Sequence, residues 1–378
     1  MTSSSETNAP NNSGNLTPPR AASRQTDAET TRAVVTPTSE TAEPPSTQQD
    51  APLLPLLEPL TIEEDAGVLV AVFNTSEGTG ARTTSQNPGT TQTAQYLFQP
   101  VVTLLLMSIL DTFGKLPGAW LLTEVAFSLK KGNMSLLSQE APKASRSGKG
   151  VDLNDEAAVV WGPACNNDAE SWTLSLRKGK QDGDKYYVKI VGTKGSLLRV
   201  TQDGLKEEDK GGYRGMLSRV AAARLTLPVV GGDTREPCIF LSYHGPHKKD
   251  PEIKVQYLCW FLQLACSLTA LGFHVVAGGD LNINPEEQED PKLKALLKRL
   301  QAVSYEMTAR RSHKKKIDWL YLINPDESDL RLECVGECKA IDPAQHYRST
   351  LGEASCIELN PEWFDHDVLL AVLRLAPK

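Results

Sequence analysis

The sequence predicts an α/β protein in which two β-sheets pack face to face with helices on the outside. Three observations carry that expectation. Short apolar runs of strand length recur between about residues 68 and 375, bounded by Gly, Pro, Asn and Asp. Only a few longer segments, near 94–114, 254–271 and 291–301, have the length and pattern of helices. No internal repeat relates these segments, so stacked repeat architectures are excluded.

The elements are expected in the following order. Residues 1–50 are Ser, Thr, Pro, Asn, Gln and Ala with almost no aromatic or branched apolar residues, too little to offset ordering entropy. Pro52 to Leu60 is apolar but broken by proline, an extended stretch for docking or for a partner. Residues 1–60 are therefore a disordered tail and 61–378 the folded domain. Strand 68–73 ends at Asn74, and Gly- and Thr-rich residues 76–93 form a loop. Helix 94–114 leads through Leu116-Pro117-Gly118 into strand 119–125, and polar residues 130–156 form an exposed excursion. Strands follow at 157–161, 172–178, 185–191 and 196–201, then a charged, glycine-rich loop at 207–215. The remaining strands are 219–227, 238–243, 274–279, 317–323, 330–335 and 367–375.

The bulk numbers exclude several classes. Net charge is −7, and the tail, with three arginines (Arg20, Arg24, Arg32) against seven carboxylates, accounts for about −4 of it. The domain is close to neutral, so any polyanion surface must come from local clusters. Seven cysteines lie without a short-spaced framework, so no disulfide scaffold is expected; Cys334 and Cys338 lack a histidine pair to complete a zinc pattern. Val255 to Gly279 carries no charged residue, but Gly272 interrupts it, and a buried helix followed by a central strand explains it without a membrane span. No secretory signal is seen, so cytoplasm or nucleus is expected.

Five segments carry chemistry at expected strand ends: Leu-Leu-Thr-Glu at 121–124, Ser-Tyr-His-Gly-Pro at 242–246, Gly-Gly-Asp-Leu-Asn at 278–282, Lys-Ile-Asp-Trp-Leu at 316–320 and Phe-Asp-His-Asp at 364–367. Polar groups at the ends of buried strands can meet at one rim of a sheet. The collected carboxylates, amide and imidazoles suit a hard divalent cation and phosphate hydrolysis. Asp280 and Asn282 also fit a plain turn. Glu124 closes a run that should be buried, where desolvation must be offset. Asp318 lies inside an apolar strand, a costly place unless paired, and is a possible orienting partner for His366. Strand alternation would send Asp365 and Asp367 to one side and His366 to the other, unless the strand has yet to begin there. Two basic runs, His247-Lys248-Lys249 and Arg310 to Lys316 with Lys314 and Lys315, abut these strands and offer phosphate contacts.

In this order Asn74, Glu124, His244, Gly-Asp280-Leu-Asn282, Ile-Asp318-Trp and Asp365-His366 resemble the endonuclease/exonuclease/phosphatase superfamily, the deoxyribonuclease I-like proteins, over about residues 66–376. The resemblance implies a four-layer α/β sandwich of two mainly antiparallel sheets. It implies a hydrolase using Mg2+, or Mn2+, with Glu124 binding the metal and Asn74 and Asp365 near it. Asp280 and Asn282 would position the attacking water and the phosphate. His366, supported by Asp318, would contact the scissile phosphate, with His244 acting from the opposite side. Arg219, in Ser218-Arg-Val-Ala-Ala-Ala-Arg224, would bind phosphate. Nucleic acid is the expected substrate, with Lys248, Lys249, Lys314 and Lys315 as contacts. A phosphatase or lipid phosphodiesterase of the same fold, and a weakened binding scaffold derived from a retrotransposon-type endonuclease, are the alternatives. The chain departs from the pattern at Thr123 (usually glutamine), Phe364 (usually serine) and Asp367-Val368-Leu369, which lacks the expected proline.

Overall fold

The computed structural model describes residues 67–75, 91–125, 136–139, 151–153, 156–179, 185–247, 249–303, 306–309, 317–342 and 366–378. The expected tail at 1–60, Asp365, Phe364, Lys248, Lys314 and Lys315 lie outside the described residues.

Strands β1 (Val68–Asn74), β2 (Ala119–Thr123), β3 (Val151–Leu153), β4 (Ala157–Trp161), β13 (Leu330–Ile341) and β14 (Val368–Pro377) form a six-stranded sheet in the order β13-β14-β1-β2-β4-β3. The second sheet has eight strands. They are β5 (Glu170–Lys178), β6 (Tyr186–Gly192), β7 (Leu197–Thr201), β8 (Val220–Pro228), β9 (Arg235–Tyr243), β10 (His274–Asp280), β11 (Glu306–Ala309) and β12 (Asp318–Ile323), in the order β11-β12-β10-β9-β8-β5-β6-β7. Among the ladders of the described strands, β1–β2 and β10–β9 pair in parallel and the others are antiparallel. The expected two-sheet sandwich is the observed one.

Side-chain alternation explains the layers. Val68, Val70 and Val72 of β1 enter the core between the sheets, as do Phe240, Val276, Leu320 and Leu322 of the facing sheet. The alternate residues Leu69, Ala71 and Phe73 pack outward against Val102, Leu105 and Ile109 of helix α1 (Thr91–Phe113). Ile239, Leu241, Val275, Ala277, Trp319 and Tyr321 face the opposite helical layer. That layer is α2 (Lys210–Leu217), α3 (Pro251–Thr269) and α4 (Pro291–Val303). A strand buried on both faces reads as a continuous apolar run, which is why period-2 alternation is weak in this sequence. The uncharged stretch 255–279 is α3 followed by β10, and no helix among the described residues is long and apolar enough to cross a membrane.

Several expectations need correction. Segment 207–215 is not a loop throughout: α2 begins at Lys210, with Tyr213, Met216 and Leu217 buried. Two of its glycines are packing devices, since a Cβ on Gly212 would come within 3.0 Å of Trp260 and one on Gly215 within 2.7 Å of the Tyr257 hydroxyl. Tertiary contact with α3 therefore overrides weak helix propensity. The polar excursion 130–156 is not wholly exposed: Leu137 and Ser138 are buried, and β3 forms the edge beside β4. Strand β11 was not anticipated, and β13 runs well past the expected end at residue 335.

Candidate active site

The topology gathers the polar residues at one rim. Strands β1, β2, β9 and β10 leave the core there, at Asn74, Thr123, Tyr243 and Asp280. Strands β4, β8, β12 and β14 enter there, immediately after Glu156, Arg219 and Ile317 and just after His366. Asp318 and His366 accordingly open strands instead of ending them, and because β12 and β14 run antiparallel to their neighbours this brings them to the same rim. Strand β14 begins only at Val368, so alternation does not govern His366 and Asp367.

Register fixes the partners. Asp280 sits opposite Asp318. The Glu124 backbone N–H donates to the Glu156 carbonyl at 2.9 Å, and the His244 N–H to the Arg219 carbonyl at 3.1 Å. Glu124 has a left-handed backbone with φ of 54°, held by the Thr75 hydroxyl donating to its carbonyl at 2.6 Å. The adjacent Thr123, in place of the expected glutamine, is buried, and its hydroxyl has no hydrogen-bond partner.

Asp280 is the centre. Its carboxylate accepts the Asn74 amide at 2.9 Å and the backbone N–H of Asn282 at 2.7 Å. The imidazole of His366 lies beside it, with Nε2 3.8 Å from Asp280 Oδ2 and 3.3 Å from the Asn74 amide nitrogen. Asp318 faces His366 Nδ1 at 2.7 Å, so that nitrogen carries a proton. Asp280, Asp318 and His366 are each no more than 3% exposed.

A second pair stands opposite. His244 Nδ1 lies 2.7 Å from Glu156, and its Nε2 lies 3.5 Å from Glu124. That buried Nε2 has no hydrogen-bond partner. Ligand atoms of Glu124, His244 and Asp280 lie within 4.8 Å of one another, as do those of Asp280, Asp318 and His366. Arg219 lies 3.2 Å from Glu156 and also donates to the carbonyls of His244 and Gly245, so part of its capacity is spent within the protein. Asn282 is tied down on all sides. Its Nδ2 donates to the Gly245 carbonyl at 3.0 Å, its Oδ1 meets His247 Nδ1 at 3.1 Å, and its backbone carbonyl accepts Lys254 at 3.1 Å. Lys249 is exposed just before α3.

Glu156 was missed in the sequence. The signal was its place as the last residue before strand 157–161, on the same rim as Glu124. His247, noted only as part of a basic run, and Lys254 prove to be supports of Asn282.

Burial opposes charge on His244, but the facing carboxylates of Glu124 and Glu156, with the charge of Asp280, raise its pKa to about 9. Burial also works against the Glu124 carboxylate; His244 and Asn74 outweigh it and hold the group below its ordinary value. Glu156 is lowered chiefly by its hydrogen bond to His244, with Arg219 adding. The raised imidazole stabilises the fold fully below its ordinary value of 6.5, and this contribution is lost as pH rises through about 9. The lowered carboxylates contribute above their ordinary value of 4.5, and their share is lost on acidification. In chelator, the thermal midpoint of the protein is expected to fall between pH 6.5 and pH above 9, and to fall less in His244→Gln. Parallel slopes in the two proteins would contradict the assignment.

No known family model and no curated protein matches the chain. Distant likenesses of fold exist among solved structures. An endonuclease/exonuclease/phosphatase family protein from Bacteroides thetaiotaomicron is 11% identical, with a TM-score of 0.43 over 82% of this chain and 98% of that one. The APE2 catalytic domain of Xenopus laevis is 12% identical, with a TM-score of 0.42 over 82% of this chain and 93% of that one. The TDP2 of D. rerio, solved with a single strand DNA product, is 10% identical, with a TM-score of 0.41 over 82% of this chain and all of that one, 100%.

Proposed function

We propose that this chain is a divalent-metal-dependent phosphodiesterase of the endonuclease/exonuclease/phosphatase type that hydrolyses nucleic acid. The observation that carries the reading is a pair of imidazole–carboxylate couples, His244–Glu156 and His366–Asp318, each closed at 2.7 Å and each within reach of the buried Asp280. A buried turn would not need two such couples aimed at one carboxylate, whereas a tetrahedral phosphate has an oxygen for each.

The donors fit a hard cation. Glu124 and Asp280 offer oxygens, and the Asn74 amide stands beside them. Glu124 would hold Mg2+ or Mn2+, with Asn74 and Asp365 alongside. A divalent ion at that place supplies Lewis-acid polarisation of a phosphate oxygen and offsets charge on the leaving oxygen. The remaining work falls to the chain. Asp280, fixed by Asn74 and the Asn282 N–H, orients a water and takes up its proton. His366 donates from Nε2 to a phosphate oxygen once protonated, and Asp318 stabilises that cation. His244 donates its Nε2–H from the other side, held by Glu156. Arg219, Lys249 and the neighbouring Lys248, Lys314 and Lys315 contact flanking phosphates.

Plasmid DNA and RNA incubated with the protein and Mg2+ test this reading. Cleavage by the wild type and its loss in Asp280→Ala support it; equal cleavage by both proteins overturns it. Metal binding is separable. Calorimetric titration with Mn2+ is expected to show a site whose affinity drops about tenfold or more in Glu124→Gln, since a charged ligand is lost. Identical isotherms would remove Glu124 from the metal site.

A further inference from the structure

Strand β13 carries a feature unrelated to the rim chemistry. Val335 pairs with Val372 and Lys339 with Leu370, so residues 336–338 stand opposite Ala371 alone. The irregularity is a bulge that includes Gly336, whose φ of +68° favours glycine. In a regular strand, residues four apart are separated by about 13 Å. Here the sulfurs of Cys334 and Cys338 lie 3.3 Å apart. Both residues are half-buried at the margin of the inter-sheet core, on the edge strand of the six-stranded sheet. The other four described cysteines, Cys165, Cys238, Cys259 and Cys266, are buried.

We propose that Cys334 and Cys338 form a dithiol modification site, which a low-molecular-weight disulfide of the glutathione class converts to an internal disulfide. The two sulfurs share a hydrogen bond, which with burial pushes the Cys334 thiol up, and Cys338 is taken as the attacking sulfur. The Cys338 thiolate attacks one sulfur of glutathione disulfide; a protein–glutathione S–S bond forms and a glutathione thiolate leaves. Cys334 then gives up its proton and attacks the Cys338 sulfur, which releases the second glutathione. Two electrons pass from the protein to glutathione disulfide, and the two thiol protons end on two glutathione molecules. The bulge places the second thiol next to the first, so the mixed disulfide resolves internally.

Arg331 and Lys339 bracket both cysteines, so trypsin releases residues 332–339 as one peptide. The full chain, reduced and then equilibrated with glutathione disulfide, is expected to yield this peptide lighter by two hydrogens and unlabelled by alkylation, a change reversed by dithiothreitol. Cys334→Ser is expected to stop at the glutathione adduct on Cys338. In denaturant, the bridged fraction relative to mixed disulfide should fall about tenfold or more, since the bulge no longer holds the thiols together. A peptide that stays doubly alkylated, a stable glutathione adduct in the wild type, a bridge to Cys356, or equal bridging in folded and unfolded protein would each overturn the proposal.

Discussion

Replacing His366 with alanine is expected to lower kcat for phosphodiester cleavage by about 10²- to 10⁴-fold, with KM changed only a few-fold. The ring is 3% exposed and touches Asp318, Asn74 and Asp280, so it is part of the rim and not a surface histidine. In the proposed reaction the protonated ring would donate from Nε2 to phosphate while Asp318 holds the other N–H. Asp318→Asn should therefore lose much of the same rate, and the double substitution His366→Ala with Asp318→Asn should cost little more than either alone. Removing the imidazole also takes from the buried Asp318 the ring nitrogen that faces it at 2.7 Å, which costs stability by about 1 to 3 kcal/mol. His366→Gln and a denaturation curve for each variant separate this from catalysis: a folded, inactive His366→Gln supports the role. Multiplicative rate losses in the double variant would mean that the two residues do not work as a couple.

The two-sheet architecture was legible because the central strands of both sheets are buried on both faces, so runs such as 68–73, 119–122 and 275–279 stand out as uninterrupted and uncharged. The rim was legible only in part. Asp280, Asn282, His244 and Glu124 follow such runs directly, and the end of a run is easy to see. Asp318 and His366 precede theirs, and their direction could be read only once pairing had set β12 and β14 antiparallel to β10 and β1. Glu156 was lost for the same reason: a carboxylate at the start of strand 157–161 looks like the tail of a polar segment until Ala157 is placed opposite Thr123. Helix α2 was hidden by glycines whose purpose lies in another helix, and the β13 bulge by the absence of any local turn signal beyond one glycine. In each case the missing information was a contact distant in sequence.

Gly279→Ala is expected to destabilise the protein by about 3 kcal/mol or more, a larger effect than its single methyl would cause elsewhere in a sheet. Two costs coincide at this position. Its φ of +135° lies in territory that L side chains rarely enter, and a Cβ there would meet the Tyr243 carbonyl oxygen at 2.2 Å. That oxygen belongs to the backbone of β9, which cannot swing aside as a side chain would. Relief requires β10 to move away from β9, and the movement would carry Asp280 off the Asn74 amide and His244 off its place opposite. The expected readout is a lower denaturant midpoint at unchanged slope, together with loss of cleavage greater than the unfolded fraction explains. Ala277→Gly, two residues upstream on the same strand, supplies the contrast: it should cost about 1 kcal/mol and leave the rate of the folded protein intact. If Gly279→Ala unfolds at the wild-type midpoint, the close approach of these two strands, and with it the packing that sets Asp280 between the two histidines, is wrong.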